Sequence, residues 1–105
     1  MEDYSDKFDE LRRNRVAVSR FKYGSARKNF KTGNVNAVGS MQRCLEKYQD
    51  TGNTEYLCDA ANYLMFEFMY PQHPEAHFRA TDSSESAGIV GISETEMEAL
   101  KNSDY

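Results

Sequence analysis

Hydrophobic residues recur at helical spacing along most of the chain. The first set has intervals of three, four and seven residues and comprises Tyr4, Phe8, Leu11, Val18 and Phe21. These intervals place apolar side chains on one face, so we predict a helix from about Ser5 to Lys22. Gly24 is expected to end this helix, and Ser25 to cap a short helical link that runs through Phe30.

Two later segments also have helical patterns. The first is amphipathic, with its apolar stripe formed by Ala37, Val38, Met41, Cys44, Leu45 and Tyr48. The second, from Tyr56 to Tyr70, is apolar around most of its circumference and must therefore be covered on nearly all sides, by this chain or by a second subunit. Its polar stripe of Glu55, Asp59 and Asn62 is expected to be solvated, or hydrogen bonded to Tyr or Arg side chains of the first helix.

The tripeptide Thr-Gly-Asn occurs twice, at Thr32-Gly33-Asn34 and at Thr51-Gly52-Asn53. Each copy is typical of a junction between helices, because glycine adopts the left-handed conformation that ends a helix and a polar residue can cap the next one. We therefore predict the same kind of joint on both sides of the amphipathic helix.

The C-terminal part has turn-rich and polar sequence. We predict an exposed loop over residues 82–92, in which the apolar stretch Gly88 to Ile92 contacts the core. Ser93 and Glu96 form a capping-box pattern that predicts a short final helix, and residues 103–105 are expected to be a frayed tail. The complete prediction is one domain, residues 1–105, with an all-α fold: a small bundle of three main helices, a C-terminal loop and a short capping helix.

Composition restricts the class of protein. The 105 residues are 39% hydrophobic and 12% aromatic, which is enough for one small core and argues against disorder. No apolar run approaches the roughly 18 residues of a membrane helix, and the N-terminus is acidic, so we expect a cytoplasmic protein without a membrane partner. Cys44 and Cys58 are expected to be free thiols, since packed helices usually hold such a pair too far apart for a disulfide.

Charge is segregated along the chain. Residues 1–47 carry 11 Lys/Arg against 6 Asp/Glu, whereas residues 48–105 carry 2 against 11. The segment from Leu11 to Lys31 contains no carboxylate, and with its aromatic residues it suits an anionic partner or an acidic protein surface. The alternative is a solvated face balanced by the acidic half of the chain. The predicted binding residues are Arg12, Arg13, Arg15, Arg20, Lys22, Tyr23, Arg27, Lys28 and Lys31.

The segment from Lys22 to Met69 resembles the MazG-like all-α nucleotide pyrophosphohydrolases and related small helical proteins of phages and mobile elements. The residues that carry this resemblance are Tyr23-Gly24, Asn29-Phe30, Leu45, Gly52 and the run from Glu55 through Asp59 to Leu64. The resemblance implies a helical fold and a Mg²⁺ site, whose ligands here would be Glu46, Glu55 and Asp59. In that family the ligands come from two neighbouring helices. The first of the two offers only Glu46 here, where the family has a paired glutamate motif.

These observations favour a small non-enzymatic binding or regulatory protein that has no cofactor and acts through its basic surface. Its expected partner is a host protein or a protein–nucleic acid complex, and a phage-type inhibitor of a host defence system is one such role. The first alternative is a divergent Mg²⁺-dependent protein that binds or hydrolyses nucleotides. The second is an adaptor that forms homo-oligomers through the Tyr56–Tyr70 helix.

Overall fold

The computed structural model describes residues 2–91, and all of its regular structure is helical. Its elements are α1 (Asp6–Tyr23), a π-helical turn (Arg27–Lys31), α2 (Ala37–Thr51) and α3 (Glu55–Met69). The predicted all-α fold with three main helices is therefore confirmed. The final helix predicted from Ser93 and the tail at 103–105 lie outside the described residues.

Two capping residues define the ends of α1. The Ser5 hydroxyl accepts a hydrogen bond from the backbone N–H of Phe8 at 3.0 Å, which satisfies one of the unpaired donors at the start of the helix. Gly24 ends it with φ +86°, and its N–H donates to the carbonyl of Arg20. The link that follows is π-helical, and the Ser25 hydroxyl accepts from the N–H of Lys28 at 3.2 Å.

The two Thr-Gly-Asn copies form matching joints. Gly33 and Gly52 have φ angles of +76° and +72°, which reverse the chain after each helical segment. The hydroxyl of Thr32 donates to the carbonyl of Lys28 at 2.6 Å. The hydroxyl of Thr51 donates to the carbonyl of Lys47 at 2.7 Å, so the same bond recurs one helix later.

The core is small and lies where the π-helical turn meets α2 and α3. Phe30 stacks on Phe66 with ring centroids 4.6 Å apart and meets Tyr63 edge-on at 6.0 Å. Ala37 completes the buried cluster, and Val35 packs against it. Because Phe30 is the buried residue of the turn, this cluster anchors the turn to α3.

The helices α2 and α3 form the main packed pair, and α1 contacts α3 less extensively. No residue of α1 is buried. Within residues 2–91, α3 is also not covered on all sides, since Leu64, Phe68 and Met69 are half exposed or more. None of the described helices combines the length and the apolar character that crossing a membrane requires.

The segment after α3 contains turns but neither helix nor strand up to residue 91. All its residues from 82 to 91 are exposed. The stretch from Gly88 to Ile92 was expected to contact the core. This expectation is wrong for Val90, at the centre of the stretch, because Val90 is 99% exposed. Gly88 and Gly91 both have positive φ, and the backbone turns there with Ile89 and Val90 facing solvent.

Candidate partner-binding surface

Arg15 joins α1 to α3 through a bidentate ion pair. Its Nε lies 3.0 Å from Oδ1 of Asp59, and its Nη2 lies 3.3 Å from Oδ2. The same Nη2 is 3.5 Å from Oε1 of Glu55. The hydrogen bond to Asp59 raises the pKa of Arg15 above its ordinary value. Arg15 therefore supports the packing of α1 and does not present a free cation.

Arg12 also makes its contacts within the chain. Its Nε lies 3.2 Å from Oδ1 of Asp9, whose pKa is lowered by hydrogen bonds from the Tyr4 hydroxyl and from Arg12. Its carbonyl accepts a hydrogen bond from Nδ2 of Asn62 at 2.8 Å. The expected side-chain bond from α1 to the polar stripe of α3 is therefore present at Asp59, which pairs with Arg15, whereas Asn62 bonds to the backbone of Arg12 and not to a side chain.

The other cations of the predicted site are exposed. None of them forms an ion pair with any residue from 2 to 91. These cations are Arg13, Arg20, Lys22, Arg27, Lys28 and Lys31. Tyr23, the predicted aromatic contributor, is also exposed. Six of the eight basic residues from Arg12 to Lys31 are thus available for a partner within this part of the molecule.

Helical geometry places these cations on different sides of α1. Arg13 and Arg20 are seven residues apart, about two turns, and so share one face. Lys22 is likewise seven residues from Arg15 and lies on the side of α1 that faces α3. Phe21 is 93% exposed next to Arg20. We call Arg13, Arg20 and Phe21, together with the cations of the π-helical turn, the basic surface.

The three residues of the alternative Mg²⁺ site are not gathered into one cluster. Glu55 and Asp59 lie against Arg15, whereas Glu46 is an exposed residue of α2. In the part of the chain that the structure describes, no three His, Cys, Asp or Glu side chains come close enough to hold a metal ion.

The two cysteines are free, as predicted. Cys58 is buried and Cys44 is partly buried. Burial raises the pKa of both thiols, because the thiolate loses solvation in these positions. They behave as small apolar residues of the α2–α3 interface.

A cavity of about 390 Å³, which no sequence pattern predicted, lies between α1, the π-helical turn and α3. Its walls include Ser19, Asn29 and Val35, which belong to three separate segments. These residues have no common spacing or motif, so only the packing of the helices reveals them as neighbours.

The chain matches no family model, no curated protein and no solved structure.

Proposed function

We propose that this protein is a small non-enzymatic binding protein that engages an acidic partner through the basic surface. The observation that carries this proposal is the set of exposed cations on α1 and the π-helical turn without ion pairs to residues 2–91. Exposed cations on α1 and on the π-helical turn create a positive potential that attracts and orients an anionic surface.

An acidic protein surface suits this arrangement better than duplex DNA. The whole chain has a net charge of −4 and an isoelectric point near 5.1, so it would be repelled by the phosphate backbone outside the basic surface. The exposed ring of Phe21 beside Arg20 adds an apolar contact of the kind found at protein interfaces. The proposed partner is therefore a protein, alone or in a complex with nucleic acid.

The experiment compares two charge-matched double variants in a pull-down from lysate, with and without nuclease. Arg13→Glu/Arg20→Glu reverses two cations of the basic surface. Arg43→Glu/Lys47→Glu makes the same charge change on exposed residues of α2 and serves as the control. We expect the first variant to lose the captured partner, the second to retain it, and nuclease treatment to leave capture intact.

Both variants should keep the wild-type free energy of unfolding to within about 0.5 kcal/mol, since the substituted residues are exposed and make no ion pair within residues 2–91. Equal capture by both variants would contradict the proposal. Capture that disappears with nuclease would assign the basic surface to nucleic acid.

For the biological setting, we propose a host macromolecule as partner and a phage-type inhibitor of a host defence system as the role. The expected likeness of the segment from Lys22 to Met69 to helical proteins of mobile elements motivates this proposal. Mass spectrometry of the protein captured by the wild type, and absent with Arg13→Glu/Arg20→Glu, tests it directly.

A second candidate function, a homo-oligomerising adaptor, is favoured by the outer face of α3. Leu64 and Phe68 are four residues apart, hence on one face, and Met69 lies beside them. All three are half exposed or more. A second copy of this chain that packs on the same face would remove these side chains from water.

A further inference from the structure

The outward face of α1 carries a stripe of exposed apolar side chains. Leu11, Val18 and Phe21 follow one another at intervals of seven and three residues, so they lie on one face of the helix. They are 42%, 43% and 93% exposed. The contacts of α1 with the rest of the molecule come from its other side, where Val16 packs against the core and Nη1 of Arg12 lies 3.6 Å from a sulfur of α3. The stripe is therefore a helix face without a partner among residues 2–91.

Cations border the C-terminal half of this stripe. Arg20 and Lys22 are the direct neighbours of Phe21 in the chain, so they lie about 100° to either side of it around the helix. Arg13 is seven residues before Arg20 and follows the same edge. None of these three cations forms an ion pair within residues 2–91. This half of α1 suits an occupant that is both apolar and acidic.

The chain itself contains such a segment after the described residues. Residues 92–105 carry four side-chain carboxylates and one lysine. Met97 and Leu100 have the same three-residue spacing as Val18 and Phe21. The capping-box pattern that starts at Ser93 predicts a helix, in which this spacing places both apolar side chains on one face. The carboxylates nearest to the apolar pair in the sequence are Glu94, Glu96 and Glu98.

The exposed apolar face of α3 suits the same segment less well. The charged side chains of α3 are those of Glu55, Asp59 and Glu67, and the helix contains no Lys or Arg. An acidic segment on α3 would approach carboxylates, whereas on the C-terminal half of α1 it would approach cations. Charge complementarity therefore selects α1.

The chain leaves α3 close to the basic surface. Nε2 of Gln72 donates a hydrogen bond to the carbonyl of Phe30 at 2.8 Å, which ties the start of the C-terminal part to the π-helical turn. Residues 73–91 contain neither helix nor strand, and all of them are exposed. At about 3.3 Å per residue, this stretch can span more than the longest dimension of the molecule, 47 Å. Its length therefore permits residues 92–105 to reach α1.

We propose that residues 92–105 bind back onto the C-terminal half of α1. Met97 and Leu100 pack against Val18 and Phe21, and the neighbouring glutamates pair with the cations along the stripe. The segment then covers part of the basic surface and competes with an external acidic partner. This regulatory consequence rests on the proposed function, whereas the contact itself does not.

The size of the regulatory effect follows from the tether. A short flexible linker gives a tethered segment an effective concentration in the millimolar range. A segment whose dissociation constant equals that concentration occupies the surface in about half of the molecules and weakens the partner's apparent affinity about twofold. Removal of two of its charges should therefore raise that affinity by up to about twofold.

A nitroxide spin label tests the contact in the full chain and without any partner. Ser103→Cys carries the label in the Cys44→Ala/Cys58→Ala background, and nitrogen-15 spectra report on the backbone amides. We expect the label to broaden the amide signals of residues 17–22 of α1. If the cysteine-free background fails to fold, the amide chemical shifts of Val18 and Phe21 in chains with native cysteines provide the second readout.

Two charge-matched double variants accompany the label. Glu94→Gln/Glu98→Gln should reduce the broadening and move the amide shifts of Val18 and Phe21. Glu46→Gln/Asp50→Asn removes the same charge from exposed positions of α2 and should change neither. In the pull-down, the first variant should capture up to about twofold more partner than the wild type, and the second the same amount.

The inference is overturned if the label leaves α1 unbroadened, or if both double variants behave alike. Broadening of a nitrogen-15 chain by a separate, labelled chain would assign the contact to a second copy and would also overturn it. Unchanged capture by Glu94→Gln/Glu98→Gln would overturn the regulatory role. Failure of the proposed function has a different signature, capture that survives Arg13→Glu/Arg20→Glu, and the spin-label result does not depend on it.

Discussion

At the scale of single residues, Arg15 has the clearest structural role. It is one of several arginines on α1, but its guanidinium contacts two carboxylates of α3. Arg13, two residues earlier, is exposed and makes no ion pair within residues 2–91. The same residue type thus has a structural role at one position and is available for binding at the other.

We expect Arg15→Ala to lower the free energy of unfolding by about 1 kcal/mol, because it leaves Asp59 without its partner while solvent screens part of the loss. Arg13→Ala should change it by less than about 0.5 kcal/mol. Urea denaturation followed by circular dichroism measures both values. Equal effects of the two substitutions would show that the ion pair does not hold α1 in place.

The two thiols give a second prediction, for alkaline pH. The pKa values of Cys44 and Cys58 are raised in the folded chain. Their contribution to stability is therefore complete below the unfolded-state pKa of about 8.5 and is lost as pH rises toward the folded values. The free energy of unfolding should fall between pH 8 and 10, and the Cys44→Ala/Cys58→Ala variant should show a smaller fall. An identical fall in the variant would assign the effect to other groups.

At the scale of elements, the glycine joints determine where the helices end. Gly52 has a φ of +72°, and no atom lies within 4 Å of the position that a Cβ would occupy. Any loss of stability caused by a side chain at this position therefore comes from the backbone conformation and not from steric contacts. At Gly33 a Cβ would also meet Oε1 of Gln72 at 3.3 Å, so packing contributes as well.

Gly52→Ala should lower the free energy of unfolding by about 1 kcal/mol, because alanine is strained in the left-handed region. Gly52→Asn should cost less, since asparagine tolerates that conformation, and it serves as the matched control. Thermal or urea unfolding of the two variants measures the difference. A Gly52→Ala protein as stable as Gly52→Asn would contradict the role assigned to the joint.

At the scale of the whole molecule, the outer face of α3 leaves large apolar side chains exposed to solvent. Phe68 is 75% exposed, although it belongs to a helix that is apolar nearly all round. The core formed by Phe30, Ala37 and Phe66 is small, so a second copy on α3 would add apolar burial that residues 2–91 do not provide.

Light scattering at several protein concentrations should therefore show self-association, and Phe68→Glu should shift the protein to monomer. Phe78→Glu replaces another exposed phenylalanine, outside the helices, and should leave the association unchanged. A wild type that is monomeric at every concentration would rule out the adaptor candidate, leaving the partner-binding proposal in place.

The helices and their ends could be predicted because local chemistry specifies them. Ser5 and Gly24 bound α1, and Gly52 of the second Thr-Gly-Asn copy ends α2, through hydrogen bonds between residues close in the chain. The start of α2 is capped by Asn36, which lies outside the first copy. The stripe of Asp59 and Asn62 was predictable for the same reason, since helical spacing alone places both on one face. The expected contact between the core and the apolar stretch near Val90 is wrong, because apolar composition does not specify a contact.

The helical class, the joints and the concentration of positive charge before α2 all follow from the sequence alone. Which of those charges are used internally depends on how the helices pack. Arg15 and Asp59 are 44 residues apart, and no spacing rule connects them. The cavity beside Asn62 arises in the same way, from three segments that packing brings together. The physical reason is that periodicity defines the faces of a helix, whereas the choice of facing neighbour depends on how all the helices pack at once.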